Sequence, residues 1–272
     1  MKNGPGYTCM QLCPDILACF MQGDTLAPFL FVIVLDYAMR KAIQGKEEEL
    51  GFTLHPRRGR RAGAKSICDL DFADDIVLLS NEIEQARKLL RNIELECVSV
   101  GLRLNAGKTK AMFFNTSVQS LHSIDGTEIK QALTETGDQD FLYLDSWCTQ
   151  DRDIRTRKAL AWKSLNKLNK VWSSKLSKRI KIQPFRATTE TILLYGSSTW
   201  TLTTQEVKAL DGTYMQMLRK VLNIGWNEKV SNETLYGSLC KISNTIKSRR
   251  MKLAGHVFKR LCKQREAQDY IC

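Results

Sequence analysis

The stretch Phe72-Ala73-Asp74-Asp75 decides the fold of this chain, and it lies between two apolar runs at 67–72 and 76–79. A strand needs alternating or continuous apolar residues, and a hairpin turn favours Asp, Asn or Gly. The stretch therefore predicts a β-hairpin with two carboxylates at its tip. Such a pair suits Mg²⁺, which usually takes one or two carboxylates together with substrate phosphates. Two adjacent aspartates are also ordinary turn composition, so the neighbouring motifs must decide.

The length and composition of the chain are those of a globular protein. Its 272 residues, 43% hydrophobic and 26% charged, can bury a core and form one or two domains. The net charge of +12 is uneven, because residues 1–140 carry 16 Lys and Arg against 19 Asp and Glu, whereas the remainder carries 25 against 10. This asymmetry predicts that one part binds a polyanion while the other handles a metal ion; a solvated basic surface has the same composition.

The cysteines and the apolar segments indicate an intracellular protein, in the cytoplasm or the nucleus. The nine cysteines form no C-x-x-C pair and none lies at zinc-like spacing from a histidine, so we expect reduced thiols. The longest apolar run, 26–35, is interrupted by Pro28 and is too short to span a bilayer, so we expect no membrane segment.

A helix is predicted before the acidic hairpin. The segment 22–28 predicts its start, with Asp24 or Thr25 as the cap, and Gly45 lies just beyond its end. Apolar residues cover nearly every face of 29–39, so we expect this helix to be central and buried.

A second helix and two short strands follow the hairpin. Asn81 and Glu84 resemble a capping box, apolar residues then recur at helical spacing, and Gly101 can end the helix in a left-handed conformation. The segments 102–105 and 111–114 read as strands on either side of a basic turn at 108–110. Helices packed on one face of an antiparallel sheet make an α+β layer, which is the predicted fold class.

The composition changes near residues 145–150. Beyond this point apolar residues recur at helical spacing, and Lys and Arg become frequent. An apolar stripe is predicted from Ile154, Leu160, Leu165, Leu168 and Trp172. Further helices are predicted over 183–195, 204–223 and 244–262. We therefore expect three regions, which are a degraded or rearranged junction at 1–21, a mixed region at 22–148 and a basic helical region at 149–272.

Four motifs occur in a characteristic order: Gln22-Gly23-Asp24-Thr25-Leu26-Ala27-Pro28, Phe72-Ala73-Asp74-Asp75, Gly101-Leu102-x-Leu104-Asn105-x-x-Lys108-Thr109-Lys110 and Phe141-Leu142-Tyr143-Leu144. In this order they resemble the reverse transcriptases of non-LTR, LINE-type retrotransposons, and the RTE-like branch in particular. Segments at 157–163, 185–188, 194–200 and 253–256 resemble the region that follows the polymerase motifs in that family. The similarity covers roughly residues 14–260.

The resemblance implies an architecture, a chemistry and a set of partners. Residues 22–148 would form part of a right-hand polymerase palm, an antiparallel sheet with helices on one face, and 149–272 a thumb-like region. The family is an RNA-directed DNA polymerase, a nucleotidyltransferase that uses Mg²⁺ or Mn²⁺. Its partners are an RNA template, a DNA primer and a dNTP.

The resemblance also implies roles for residues of the first two motifs. Asp74 would bind the metal ion, and Asp75 would assist it. Gln22 and Gly23, with Phe72 and Ala73, would line the nucleotide and template pocket, where a glycine lets the backbone approach the substrate closely.

Two further motifs would contact the nucleic acid and the leaving group. Lys108 would assist the departure of pyrophosphate, although Lys110 is a rival and either can be a solvated turn lysine. A primer grip would be formed by Phe141, Tyr143 and Leu144. The family usually has Gly where this chain has Asp145, so we expect this grip to be distorted or less favourable for a phosphate backbone.

The largest departure from the family lies upstream of Gln22. Family members carry a further metal-binding aspartate in a strand well before the Gln-Gly segment, preceded by a fingers subdomain. Here Asp15 is the only acidic residue before Gln22. We expect it to lack the strand context of the family's aspartate and to lie too close in sequence to Gln22. The resemblance thus implies a truncated polymerase with an incomplete site that binds Mg²⁺ weakly, and we expect the chain alone not to extend a primer.

Two other hypotheses remain open. One is a non-catalytic RNA- or DNA-binding module that uses the basic helical region, with salt-sensitive and weakly sequence-specific binding. The other is a decayed reading frame that folds poorly, because its central sheet lacks a partner strand and exposes an edge.

Overall fold

The computed structural model describes residues 7–12, 14–16, 25–55, 65–114, 120–133, 137–225, 227–236 and 241–269. The chain divides into a first unit, Met1–Asp145, and a second unit, Ser146–Cys272. None of the helices in the described part of the chain has the length and the apolar character that crossing a membrane requires.

The first unit combines helices with a six-stranded sheet and several two-stranded pairings, which confirms the predicted α+β class. Its helices are α1 (Ala27–Ile43), α2 (Glu47–Leu50) and α3 (Ile83–Ser99). Its strands are β1 (Tyr7–Leu12), β2 (Pro14–Ile16), β3 (Phe52–His55), β4 (Lys65–Ile67), β5 (Asp69–Phe72), β6 (Asp75–Ser80), β7 (Leu102–Leu104), β8 (Lys110–Phe114), β9 (Leu121–His122), β10 (Glu128–Gln131) and β11 (Leu142–Tyr143). The six strands lie in the order β5-β6-β1-β8-β10-β9.

The two faces of this sheet bury different sets of side chains, as the two-residue period of a strand requires. Ile76 and Leu78 of β6 pack with Met10, with Phe113 and with the buried faces of α1 and α3. Val77, the intervening residue of β6, packs on the other face with Phe141. Strand β6 is therefore fixed from both sides.

Strand β6 also has a neighbour on each edge, which corrects the expectation of an exposed central edge. It pairs with β5 on one side, and on the other side β1 pairs with it antiparallel, from Thr8 opposite Ser80 to Leu12 opposite Ile76. Thr8 and Met10 are buried in this position. The expectation that Asp15 lacks strand context is wrong as well, because β2 pairs with β7 and sets Asp15 opposite Arg103.

Helix α1 is less buried than its composition predicts. Its C-terminal half packs on the sheet and α3 through Leu35, Ala38, Met39, Ala42 and Ile43. Its N-terminal half presents Phe29 and Ile33 to solvent, with 70% and 63% of their surface exposed. The helix touches the core along one face, so an all-round apolar composition does not bury the opposite face. The N-cap position is held by Leu26 rather than by the predicted Thr25, and it makes no side-chain cap hydrogen bond; the other predicted cap, Asp24, lies outside the described residues.

Helix α3 follows its prediction closely, with one shift. It ends before Gly101, whose φ of +79° is the left-handed conformation expected there. The capping box is one residue later than predicted, formed by Glu82 and Gln85. Asn81 instead donates to the carbonyl of Gly51 and accepts from the backbone N–H of Thr53, so it ties the start of α3 to β3.

The second unit is almost entirely helical. After strand β12 (Ser146–Trp147), its helices are α4 (Gln150–Lys167), α5 (Asn169–Trp172), α6 (Lys178–Pro184), α7 (Thr191–Leu193), α8 (Thr204–Val221), α9 (Asn232–Tyr236) and α10 (Ile242–Asp269), with a π-helical segment at Phe185–Glu190 between α6 and α7. The helix predicted at 183–195 thus begins earlier and changes type beyond Pro184, which has no N–H to donate. Of the predicted stripe on 154–172, Leu160 is exposed, whereas Ile154, Leu165 and Trp172 enter the core.

A buried polar network fixes the beginning of the second unit. The Asp153 carboxylate accepts hydrogen bonds from the indole Nε1 of Trp200 at 2.9 Å and from the backbone N–H of Trp147 at 3.1 Å. It also lies 3.6 Å from the guanidinium of Arg157, and that guanidinium stacks 4.3 Å from the ring centroid of Tyr195. The segments at 157–163 and 194–200 that resemble the downstream family motifs therefore meet around one buried carboxylate.

Candidate active site

The acidic hairpin forms as the sequence predicts. Strands β5 and β6 pair antiparallel with Phe72 opposite Asp75, so Ala73 and Asp74 make a two-residue turn. Ala73 has a φ of +56°, a left-handed conformation at a turn position where glycine is common. The buried run at 76–78 anchors β6 in the sheet, and the carboxylates stand at its end. The two acidic groups are thus carried by a turn whose strand is anchored in the sheet.

The tip itself is open to solvent. Phe72, Ala73 and Asp74 are exposed, and Asp75 is half-buried. Phe72 leaves 63% of its surface uncovered, which is a large exposure for an aromatic side chain. A substrate can therefore approach both carboxylates and the aromatic ring before them.

The segment predicted as a primer grip lies beside this hairpin. Phe141 is 1% exposed and packs against Val77 and Met112 on the sheet face opposite α1 and α3. The hydroxyl of Tyr143 donates a hydrogen bond to the carbonyl of Leu70 on β5 at 3.3 Å. The structure therefore brings this segment together with the strands that carry the acidic tip.

The segment at 141–145 ends in a turn with an uncommon backbone conformation. Leu144 and Asp145 have φ values of +48° and +62°, so both are left-handed. Such a turn favours Asn, Asp or Gly, and aspartate is one of the residues that tolerate it best after glycine. Asp145 is therefore compatible with the backbone of this turn.

The basic turn lies at the same end of the sheet as the acidic tip. Lys110 begins β8 and is paired with Gln11, which is in turn paired with Val77 of β6. Since neighbouring strands lie about 4.8 Å apart, the backbone of Lys110 is about 10 Å from that of Val77. Lys108 is exposed in the preceding turn, which Asn105 holds by accepting from the backbone N–H of Lys108. Lys110 therefore remains as strong a candidate as Lys108.

Two of the predicted site residues, Gln22 and Gly23, lie outside the described residues. Among the described residues, no group of three or more His, Cys, Asp or Glu side chains is arranged to hold a metal ion. Asp74 and Asp75 fit a Mg²⁺ ion only in part, because they are two carboxylates on an open turn and a substrate must supply the remaining oxygen ligands.

A second acidic pair on β5 was missed by the sequence reasoning. Asp69 and Asp71 lie two residues apart, on one face of the strand, and their side chains share a hydrogen bond. With Asp36 and Arg40 of α1 they line a pocket of about 390 Å³. Partial burial, and then the charge of Asp69, raise the pKa of Asp71 to about 7. The alternation of Asp69-Leu70-Asp71-Phe72 is the sequence signal that would have placed both acids on one face.

Comparison with known proteins agrees with the geometry of the hairpin. The family model described as reverse transcriptase (RNA-dependent DNA polymerase) matches residues 17–160, just over half of the chain. An uncharacterized transposon-derived protein of Caenorhabditis elegans is 26% identical over 210 residues, which span 74% of this chain and 75% of the relative. The matched region contains the hairpin, the basic turn and the segment at 141–144. The chain therefore belongs to the reverse transcriptase (RNA-dependent DNA polymerase) family.

Proposed function

We propose that this chain carries the catalytic hairpin of the reverse transcriptase of a non-LTR, RTE-like retrotransposon. The observation that carries the proposal is the placement of Asp74 and Asp75 on the tip of a hairpin whose strand β6 is buried on both faces and paired on both edges. The transposon-derived relative supports the retrotransposon origin. The substrates would be an RNA template, a DNA primer and a dNTP.

Each part of the site would have a separate task. Asp74 would hold a divalent ion and Asp75 would assist, and Mg²⁺ or Mn²⁺ bound there supplies charge neutralisation for phosphoryl chemistry. Phe72 and Ala73, together with Gln22 and Gly23, would line the pocket for the incoming nucleotide and the template. A lysine at 108 or 110 would stabilise the negative charge of the leaving pyrophosphate.

The contacts of the 141–145 segment suggest how the primer end would be positioned. Tyr143 is tied to β5 through Leu70, and Phe141 is seated against β6 through Val77. A primer held on Tyr143 and Leu144 would therefore keep a fixed position relative to the acidic tip. Such fixed positioning is a large part of what a polymerase supplies to the reaction.

We also propose that the 272-residue chain by itself does not extend a primer. Two carboxylates without a third ligand among the described residues should bind Mg²⁺ weakly. Loss of a catalytic ligand lowers a rate by orders of magnitude, at about 1.4 kcal/mol for each tenfold.

Primer extension tests this proposal directly. The purified chain is incubated with labelled primer on an RNA template, dNTPs, and Mg²⁺ or Mn²⁺, and we expect no extension. Extension that Asp74→Asn abolishes would overturn the claim of inactivity while supporting the catalytic role of the hairpin. Extension that survives both Asp74→Asn and Asp75→Asn would overturn the assignment of the site.

A second candidate function is non-catalytic binding of RNA or DNA through the basic helical region. The charge asymmetry favours it, since residues 141–272 carry 25 Lys and Arg against 10 Asp and Glu. Binding of this kind weakens steeply as salt rises and does not need the carboxylates of the hairpin. A chain with Asp74→Asn should therefore bind duplex as well as the unaltered chain, and the absence of any salt-dependent binding would exclude this function.

A further inference from the structure

Among the side chains of helix α10 that the structure describes, those of its first turns attach it to the second unit. Ile242 and Ile246 are buried in the core, and the carboxylate of Asp211 accepts from the backbone N–H and the hydroxyl of Ser243. Arg249 donates from its guanidinium to the carbonyl of Leu194 at 2.8 Å. These contacts fix the direction in which the helix leaves the unit.

The described part of the helix that follows, residues 247–259, is exposed on every side. All residues from 247 to 259 are exposed, including the large apolar Met251 and Phe258, at 73% and 67%. An exposed helix of this length, held firmly at one end, is suited to contact with a partner rather than to packing within its own unit.

The charge of this exposed segment is of one sign. It holds five Lys and Arg, and the chain has no Asp or Glu between Glu233 and Glu266. Arg249, Lys252, His256 and Lys259 follow one another at intervals of three, four and three residues, which places them on one side of the helix. We call these four residues the basic stripe. At 1.5 Å per residue it extends over about 15 Å.

The opposite side is less suited to a membrane or to a second helix. Met251, Val257 and Phe258 lie there, but so do two cations. Lys247 is four residues before Met251, and Arg250 is seven residues before Val257, so both share the side of these apolar residues. A face that enters a lipid interface or a helix pair is expected to be continuous and apolar. The charged interruptions therefore favour a polyanionic partner.

We propose that the basic stripe of α10 binds the phosphate backbone of a nucleic acid, as a contact separate from the acidic hairpin. This inference deepens the proposed function, on which the choice of nucleic acid as the polyanion rests. The stripe lies outside residues 17–160, which the reverse transcriptase family model matches. Its cations Lys252 and Lys259 contact phosphates, while Arg249 holds the helix to the body of the unit.

The test compares two sides of the same helix in the full chain. A stripe variant carries Lys252→Gln and Lys259→Gln, and a matched control carries Lys247→Gln and Arg250→Gln, which remove the same charge from the opposite side. Glutamine has nearly the helix propensity of lysine and arginine, so circular dichroism should be the same for both. The probe is a labelled RNA–DNA duplex, and the affinity is measured over a series of salt concentrations.

The slope of log affinity against log salt should become shallower by about 2 in the stripe variant, because each lost phosphate contact removes about 0.9. In the control it should change by less than about 1. Equal changes in the two variants, or none, would overturn the proposal. Loss of binding to phosphatidylserine vesicles without loss of duplex binding in the stripe variant would also overturn it.

The outcome is separable from that of the proposed function. A chain with Asp74→Asn should keep the steep salt slope of the unaltered chain. Extension that survives Asp74→Asn and Asp75→Asn would overturn the assignment of the hairpin without affecting the stripe measurement, and an unchanged slope in the stripe variant would overturn the stripe without affecting the hairpin.

Discussion

The hydroxyl of Tyr143 donates to the carbonyl of Leu70 at 3.3 Å and thereby joins the 141–145 segment to the outer strand of the acidic hairpin. Two residues earlier, Phe141 is buried against Val77 of the other hairpin strand. The segment thus contacts both strands that carry Asp74 and Asp75. The position of the tip depends on this support as well as on the sheet.

We expect Phe141→Ala to destabilise the first unit by about 3–5 kcal/mol, because the substitution leaves a cavity under β6. Tyr143→Phe removes one hydroxyl hydrogen bond at an exposed site and should cost only about 0.5 kcal/mol. Urea denaturation of both variants measures the free energy of unfolding. Similar losses in the two variants would contradict the inferred difference in burial.

The left-handed turn residue Ala73 gives a second prediction. Ala73→Gly should leave the first unit as stable or raise its stability by up to about 1 kcal/mol, since glycine adopts this conformation without the steric cost that alanine bears. Ala73→Val should lower the stability by about 1–2 kcal/mol. Thermal denaturation of the two variants checks the order. A destabilised glycine variant beside a neutral valine variant would show that the turn has another conformation.

The pair Asp69 and Asp71 predicts a pH dependence of stability. The pKa of Asp71 is raised to about 7 in the folded chain, so between about pH 4 and pH 7 the unfolded chain loses this proton first. The contribution of Asp71 to the free energy of unfolding therefore falls as the pH rises through that window, and it is constant above the window. The change should be modest, because Asp71 is only partly buried, much of the residue is still in contact with water, and water screens the pair.

Asp71→Asn should remove this fall. Urea unfolding at pH 5 and pH 8 should give a larger difference for the unaltered chain than for the variant, with Asp138→Asn as a control at another aspartate. The prediction fails when the two chains show the same difference, or when the unaltered chain becomes more stable relative to the variant at the higher pH.

The Asp153 network gives a prediction for the second unit. Asp153→Asn leaves the buried guanidinium of Arg157 without its counter-charge and should cost about 3–5 kcal/mol. Trp200→Phe removes only the indole hydrogen bond and should cost about 1–3 kcal/mol. A double-mutant cycle with Arg157→Met isolates the coupling between Asp153 and Arg157. Additive effects in that cycle would show that the two charges do not interact.

Local patterns were sufficient to predict the parts of the fold that depend on neighbouring residues. The hairpin at 69–80 followed from apolar runs around an acidic turn, and the end of α3 followed from Gly101. These features involve backbone conformations that the adjacent residues largely determine. The same local reasoning predicted that α1 would be buried, which is wrong for Phe29 and Ile33.

The remaining features depend on pairings between distant segments. Strand β1 pairs with residues about 70 positions away, and Asp153 of α4 meets Trp200 in the segment that precedes α8. Neither pairing has a periodic signal within its own segment. Of the candidate site, the acidic tip and the 141–144 segment were each recognisable in sequence, but only the structure shows that Tyr143 and Leu70 are joined.

Binding of Mn²⁺ tests most directly whether the acidic tip is the metal site. The free-ion signal in electron paramagnetic resonance is followed as Mn²⁺ is titrated into the full chain, with Asp74→Asn, Asp75→Asn and Asp71→Asn variants alongside. We predict weak binding that both tip variants abolish and that Asp71→Asn leaves unchanged. Binding that survives the loss of Asp74 and Asp75, or that depends on Asp71 instead, would contradict the account.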